Sequence, residues 1–341
     1  IFEVLLNYLC VTPYLFSVKL CGSNININHG GTQRKSQRDT EVFMDKHYLD
    51  NLLSLLNPSG VLLVTVKYLL ILQFKFGPMT REQFYSIQSW FEQYIEQFYS
   101  NDPAFQRNIE LKRNHSRRVW ENAADLGKSI PLEQNDQLII ETAGLLHDVG
   151  RFEQFRRYGT FSDKKSVNHA WLGVEVLKEK DILENLEEYE RDEIYTAIFH
   201  HNRKEIPRDK DERQLTFIKL LRDSDKLDIW RLVTDYYCGN GETNNTLQLD
   251  LPDKPKINQQ NINDLLNGRL VDLRNLETLN DFKLLQIGWV YDLNFPRSYE
   301  IMKEKGYLDK IFDSLPDTKE LDQVKEKILE YLEAQGAEHR E

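Results

Sequence analysis

From Met79 onward, apolar residues recur at helical spacing. Phe84, Ile87, Phe91, Ile95 and Phe98 fall on one face, Thr80 stands at the N-cap, and acidic Glu82 lies in the first turn. Asp102-Pro103 predicts a second helix start, with proline at the first helical position, where its missing N–H costs little. That helix should carry FQRNIELKRNHSRRVWENAADLG and end near Gly127. A third is predicted from about Asn135, running through LIIETAGLLHD and stopping at Gly150. Another begins near Ser166 and carries His169, Trp171, Leu172, Val174 and Leu177. LEEYERDEIYTAIFHHN follows and ends before Pro207, and then comes ERQLTFIKLLRDSDKLDIWRLVTDYY. No strand alternation and no glycine-rich phosphate loop interrupts the series, so the expected fold class is all-α.

The flanks differ from this middle. CGNGETNNTLQLDLPDKPKIN is a turn-rich connector, and helical periodicity resumes from Ile262. DFKLLQIGWVYDLNFPRSYEIMKEKG has the apolar density of a packed helix pair, and Leu321, Val324, Ile328 and Leu332 form one apolar stripe. This C-terminal stretch reads as a helical cap on the same core or a dimerisation surface. Residues 1–78 read as a leader of doubtful fold. It lacks a basic signal-peptide start, and its apolar run SGVLLVTVKYLLILQFKFG is interrupted by Lys67 and Lys75 and falls short of a bilayer span. It is either a β-rich or poorly folded segment, or sequence upstream of a natural start at Met79. The expected division is 1–78, 79–240 and 241–341.

Composition narrows the functional classes. Hydrophobic content of 40% with 29% charged residues suits a globular core. A net charge of −11 argues against broad nucleic-acid binding, which needs a basic footprint. Three cysteines without metal-like spacing point to a reducing compartment, here the cytoplasm, and no membrane partner is expected.

The chemistry concentrates in one ordered series. Five of the eight histidines fall between His115 and His201: His115, His147 beside Asp148, His169, and the pair His200–His201. The acidic string RDSDKLD follows, with Asp223, Asp225 and Asp228. Neutral imidazole with carboxylate is a ligand set for divalent first-row metals. Adjacent His147 and Asp148 project about 100° apart on a helix, so both can reach one ion over the helix end. Asp148 has two oxygens and could bridge two ions. Asp225 and Asp228 share a helix face, whereas Asp223 points elsewhere; Asp223 and Asp228 read as a solvated face or as partners of Arg222, Lys226 and Arg231. RFEQFRRYGTFSDKKSVNH is basic in an acidic chain and reads either as a solvated loop or as an access loop that draws in an anionic substrate.

On these residues the chain resembles the HD superfamily of metal-dependent phosphohydrolases, all-helical proteins named for the His-Asp doublet. The resemblance covers roughly Arg113 to Asp228 and implies an HD-type bundle. It implies that His115, His147, Asp148 and Asp225 hold one ion, and that His169 with His200 or His201 hold a second in binuclear members. Many members carry lysine three residues after the doublet; here Arg151 stands there, a competent phosphate partner. There is no GYP string after His200–His201, which argues against the cyclic-di-GMP phosphodiesterase subgroup, and no synthetase half.

The implied activity is hydrolysis of a small phosphate ester by metal-activated water, using one or two ions of Mn, Fe, Co, Ni, Mg or Zn. Asp148 and Arg151 are the expected catalytic residues; Arg118, Arg151, Arg203 and Lys226 are the expected substrate contacts. The rival expectation is a catalytically inactive metal- or nucleotide-sensing domain acting through partners. A homodimer is compatible with either.

Overall fold

The structure, a computed structural model, describes residues 77–239 and 251–338, with the backbone of two short strands ahead of them. Those strands, β1 (Val18–Leu20) and β2 (Ser23–Ile25), pair antiparallel with Val18 opposite Ile25. They belong to a unit spanning Ile1–Thr65; a second unit spans Val66–Glu341. The remaining expectations for the leader, including its apolar run, lie outside the described residues, as do Cys10, Cys21, His29, His47 and His339.

The second unit is all-α among its described residues. α1 (Arg81–Glu96) starts from a capping box in which Thr80 and Gln83 satisfy each other's backbone N–H, and it buries Phe84, Ile87, Phe91 and Ile95. α2 (Pro103–Lys128) has Pro103 at its first position and Asp102 accepting from the Ala104 N–H. α3 (Gln134–Leu146) is buried from Leu138 to its end and packs against α1, α2, α6 (Glu188–His200) and α7 (Glu212–Tyr237). α7 also packs on α2 and α6, so α2, α3, α6 and α7 form the centre of the bundle.

The junction after α3 departs from expectation. The helix stops at Leu146, His147 caps it, and Asp148 breaks the path at φ −103°, ψ 14°. α4 (Val149–Tyr158) then continues, so Gly150 is not a stop but lies inside a helix. Its absent side chain serves close packing against α5 (His169–Glu179) instead: a Cβ on Gly150 would lie 2.3 Å from the His169 carbonyl oxygen and 2.5 Å from the Gly173 nitrogen. The basic stretch expected as a loop is therefore helical as far as Tyr158. Arg156 and Arg157 pair with Glu153 on the same helix rather than facing a substrate path. Gly159 closes α4 in the left-handed region at φ 63°.

Beyond the connector come α8 (Gln259–Leu266), α9 (Leu279–Gly288), α10 (Pro296–Glu304), α11 (Tyr307–Asp313) and α12 (Lys319–Glu338). The turn Trp289–Asp292 joins α9 to the segment before α10, in place of a plain helix pair. Ile262, Leu284, Ile311 and Ile328 belong to the same buried cluster as Phe84 of α1, Ile139 of α3 and Trp230 of α7. Asp223, expected on a solvated face or as a partner of Arg222, Lys226 or Arg231, is fully buried. It accepts from the Asn294 and Phe295 backbone N–H groups at 2.8 and 3.2 Å and from the Ser298 hydroxyl at 2.8 Å, tying α7 to the start of α10. No helix of the described residues is long and apolar enough to cross a membrane.

The two glycines at the α4–α5 crossing give a graded test. Gly150→Ala should destabilise the protein by roughly 1–3 kcal/mol or more, because backbone must move to admit a methyl group. Gly173→Ala should cost less, since its Cβ would meet nothing closer than 3.3 Å. Denaturant unfolding of both variants checks the order; equal losses would contradict the close approach at Gly150.

Candidate metal centre

Helix ends and one kink deliver the site. His115 projects from the middle of α2, His147 and Asp148 occupy the α3–α4 break, His169 opens α5, His201 caps α6, and Asp225 lies on α7. Their ligand atoms form three overlapping groups, each within 4.8 Å: His115, His147 and Asp148; His147, His201 and Asp225; Asp148, His169 and His201. His115 Nε2 stands 3.2 Å from His147 Nε2 and 3.1 Å from Asp225 Oδ1. His169 Nε2 stands 3.1 Å from His201 Nε2. Asp148 spans both sets, with Oδ2 3.4 Å from His115 Nε2 and Oδ1 3.4 Å from His169 Nε2.

What fixes these rings is the other nitrogen of each. His147 Nδ1 donates to the Gly144 carbonyl at 2.8 Å, and His201 Nδ1 donates to the Ile198 carbonyl at 2.7 Å. Both acceptors belong to the last turn of a helix, where carbonyls lack an intrahelical partner. A carbonyl can only accept, so the proton of each neutral ring sits on Nδ1 and the Nε2 lone pair faces inward. Carboxylates do the same for the other two rings: Asp228 Oδ2 lies 2.7 Å from His115 Nδ1, and Asp163 Oδ2 lies 2.8 Å from His169 Nδ1. Such partners orient metal-binding histidines and raise their basicity. Ring nitrogens gathered across 3.1–3.2 Å can share a cation placed among them. The separations suit neighbouring ligands that each reach a first-row ion at about 2.0–2.1 Å. The donor set therefore fits a divalent metal.

The electrostatics agree with that fit. Burial works to raise the Asp148 carboxyl, but Lys112, His147, Arg151 and His169 hold it well below the ordinary range. Burial likewise opposes ionisation of Asp225, and His115 and His147 keep it ionised. Burial, with His169 and His147 as neighbours, pushes His201 down to about 3. His169 is lowered by burial and by Arg151. His115 differs: burial and Lys112 press it down, but hydrogen bonds to Asp225 and Asp228 leave it raised.

Several expected site residues lie elsewhere. His200 is half-buried with its ring against Phe199, outside the three groups, so His201 alone of the pair joins them. Lys226 turns to Asp292 at 2.7 Å, Arg118 grips both oxygens of Asp228 behind His115, and Arg203 lies over the Phe199 ring. Asp228 is not solvated but buried, bound between His115 and Arg118. Arg151 is anchored by the Asp163 carboxylate at 3.0 Å and by the Phe161 carbonyl, and its Nε stands 3.4 Å from Asp148 Oδ1. Sequence reading missed Lys112, whose Nζ lies 2.7 Å from Asp148 Oδ2, and Asp163 behind His169. Lys112 was detectable as the residue one turn before His115 on the same face. Asp163, at the start of the short 3-10 turn Asp163–Lys165, left no periodic signal.

The described bundle thus carries a buried His/Asp cluster that could hold a metal ion. Residues 113–230 match the family model of the HD domain, and this part of the chain is an HD domain. Members of that family are generally metal-dependent phosphohydrolases. No curated protein and no solved structure matches the chain.

Two outcomes follow for metal binding. His115 must lose its proton before Nε2 can bind an ion, and its titration is raised above the ordinary histidine value of about 6.5. Metal affinity should therefore fall as pH drops through that range, while His201 stays neutral; calorimetric titration at stepped pH checks this. Asp228→Asn should weaken metal binding by roughly 10–100-fold with the helical fold intact. Unchanged affinity in that variant would remove Asp228 from the supporting set.

Proposed function

We propose that the chain is a divalent-metal-dependent phosphohydrolase that acts on a small phosphate ester. The observation that carries this reading is the division of the Asp148 carboxylate, one oxygen toward His115 and His147 and the other toward His169. That arrangement supports two ion positions. One would be held by His115, His147, Asp148 and Asp225, and the other by Asp148, His169 and His201. Bound divalent ions supply Lewis-acid polarisation of phosphoryl oxygens and activation of water.

The chain's own groups would do the rest. Arg151 has a buried Nε without a hydrogen-bond partner, directed beside Asp148 while Nη1 is tethered to the Phe161 carbonyl and Asp163. An unsatisfied donor fixed in this way is suited to a phosphoryl oxygen and costs little reorganisation on binding. Lys112 is the second cation at the same carboxylate, and the Phe161 ring lies 5.5 Å from its Nζ. Asp225, with 18% of its side chain exposed, marks the open side of an otherwise closed cluster. Asp148 and Asp225 stay ionised at neutral pH and hold the ligand geometry rather than exchanging protons.

The test is a phosphate-release screen over phosphomonoesters, nucleotides and cyclic nucleotides, with Mn, Co, Ni, Mg and Fe added in turn. Metal-dependent release is expected. His169→Ala should cut turnover by at least tenfold and leave one ion bound per chain, whereas Asp148→Ala should abolish binding of both. Arg151→Ala should weaken catalysis with metal content intact. Tight metal binding without release from any substrate would instead favour a sensor domain, and saturation at one ion, unchanged by His169→Ala, would overturn the two-ion arrangement.

A further inference from the structure

Far from the metal cluster, Glu190 near the start of α6 is fully buried, yet among the described residues no side-chain cation pairs with it. Its Oε2 accepts from the Glu187 N–H at 2.9 Å, closing the α6 capping box. Its Oε1 is 2.7 Å from the Met79 backbone nitrogen and 3.3 Å from the Tyr189 hydroxyl. The same Met79 nitrogen is 2.8 Å from Asn135 Oδ1. A peptide nitrogen carries one hydrogen, and here two acceptors converge on it at short distances. One of them is a buried carboxylate, whose burial is costly without a compensating charge.

An α-ammonium answers both demands. It carries three hydrogens, enough for Asn135, Glu190 and one more acceptor, and its positive charge neutralises Glu190. The side chain at this position is built into the fold as well: Met79 is buried, and its Sδ lies 3.7 Å from the Thr142 hydroxyl. Pro78, immediately before it, is exposed. The ammonium would precede the first turn of α1, where the helix dipole disfavours positive charge; contact with the Glu190 carboxylate offsets that.

We propose that Asn135 and Glu190 form a binding site for the chain's own terminal α-ammonium, that of Met79. The functional chain then starts by initiation at this methionine, and its amino group is an ion-paired part of the α1–α3–α6 packing. This site is independent of the metal centre and of the proposed activity.

The test uses the full coding region, with the codons for residues 1–78 in place and no terminal tag. Intact mass and N-terminal sequencing of the purified protein should give a chain beginning at Met79. In the folded protein an amine-reactive acylating reagent should modify the Met79 amine more than tenfold more slowly than after unfolding. Glu190→Gln, which keeps the shape and removes the charge, should largely abolish that protection and lower the melting temperature. A chain that extends ahead of Met79, one that has lost Met79, or an α-amine equally reactive in folded and unfolded protein would overturn the proposal. The first two measurements need no variant, so they stand even if Glu190→Gln fails to fold.

Discussion

The Asp148 carboxylate is the constraint around which the bundle is arranged. It is nearly inaccessible to water, and a buried ionised carboxylate is tolerated only among compensating charges and donors. Those come from three directions: Lys112 and His115 on α2, Arg151 on α4, and His169 on α5. For them to converge, the chain must break at Asp148 itself, so that α4 leaves α3 at an angle and runs against α5. The Gly150–Gly173 crossing lets α4 and α5 approach that closely, which sets His169 over the second oxygen. Charge compensation at one side chain thus goes together with a kink, a helix crossing and the glycine at position 150.

The four clustered imidazoles use two different devices for the same end. His147 and His201 each close a helix and turn back to the carbonyl three residues earlier, so the helix end itself sets the tautomer. His115 starts mid-helix and His169 opens a helix, where no orphan carbonyl is within reach, and each instead has a dedicated aspartate. Asp163 also anchors Arg151 and accepts from Gln154 and Asn202. The short turn Asp163–Lys165 that orients His169 therefore also orients Arg151.

Much of this was legible in the sequence because helical periodicity reports burial directly. The starts at Thr80 and Asp102 and the ordered histidines could be read from the sequence alone. The failures share a physical cause. Gly150 looked like a helix stop because a glycine's local preference and its use in close packing leave the same mark on a sequence, and α4 was read as a loop in consequence. Asp223 and Asp228 read as solvated or as partners of Arg222, Lys226 and Arg231 because their positions on α7 fix relative angles but not which directions other helices occupy. Adjacent His200 and His201 could not be separated for the same reason: about 100° of rotation matters only once α5 and α7 are in place. Lys112 was overlooked although its spacing from His115 was informative, since lysine on a helix is ordinarily a solvated residue.

The C-terminal helices are bound into this logic through α7. Within six residues that helix sends Asp223 to the start of α10, Asp225 into the metal cluster, and Asp228 behind His115. Arg222 and Lys226 meet Asp292 in the turn before α10, and the Trp230 indole N–H reaches the Gln286 carbonyl at 3.0 Å. Rotation of α7 about its axis would therefore break contacts with the C-terminal segment and withdraw a ligand together. The charged string RDSDKLD is, in three dimensions, a set of differently aimed anchors. By fixing the rotation of α7, the segment beyond residue 251 holds Asp225 in position without contributing a ligand of its own.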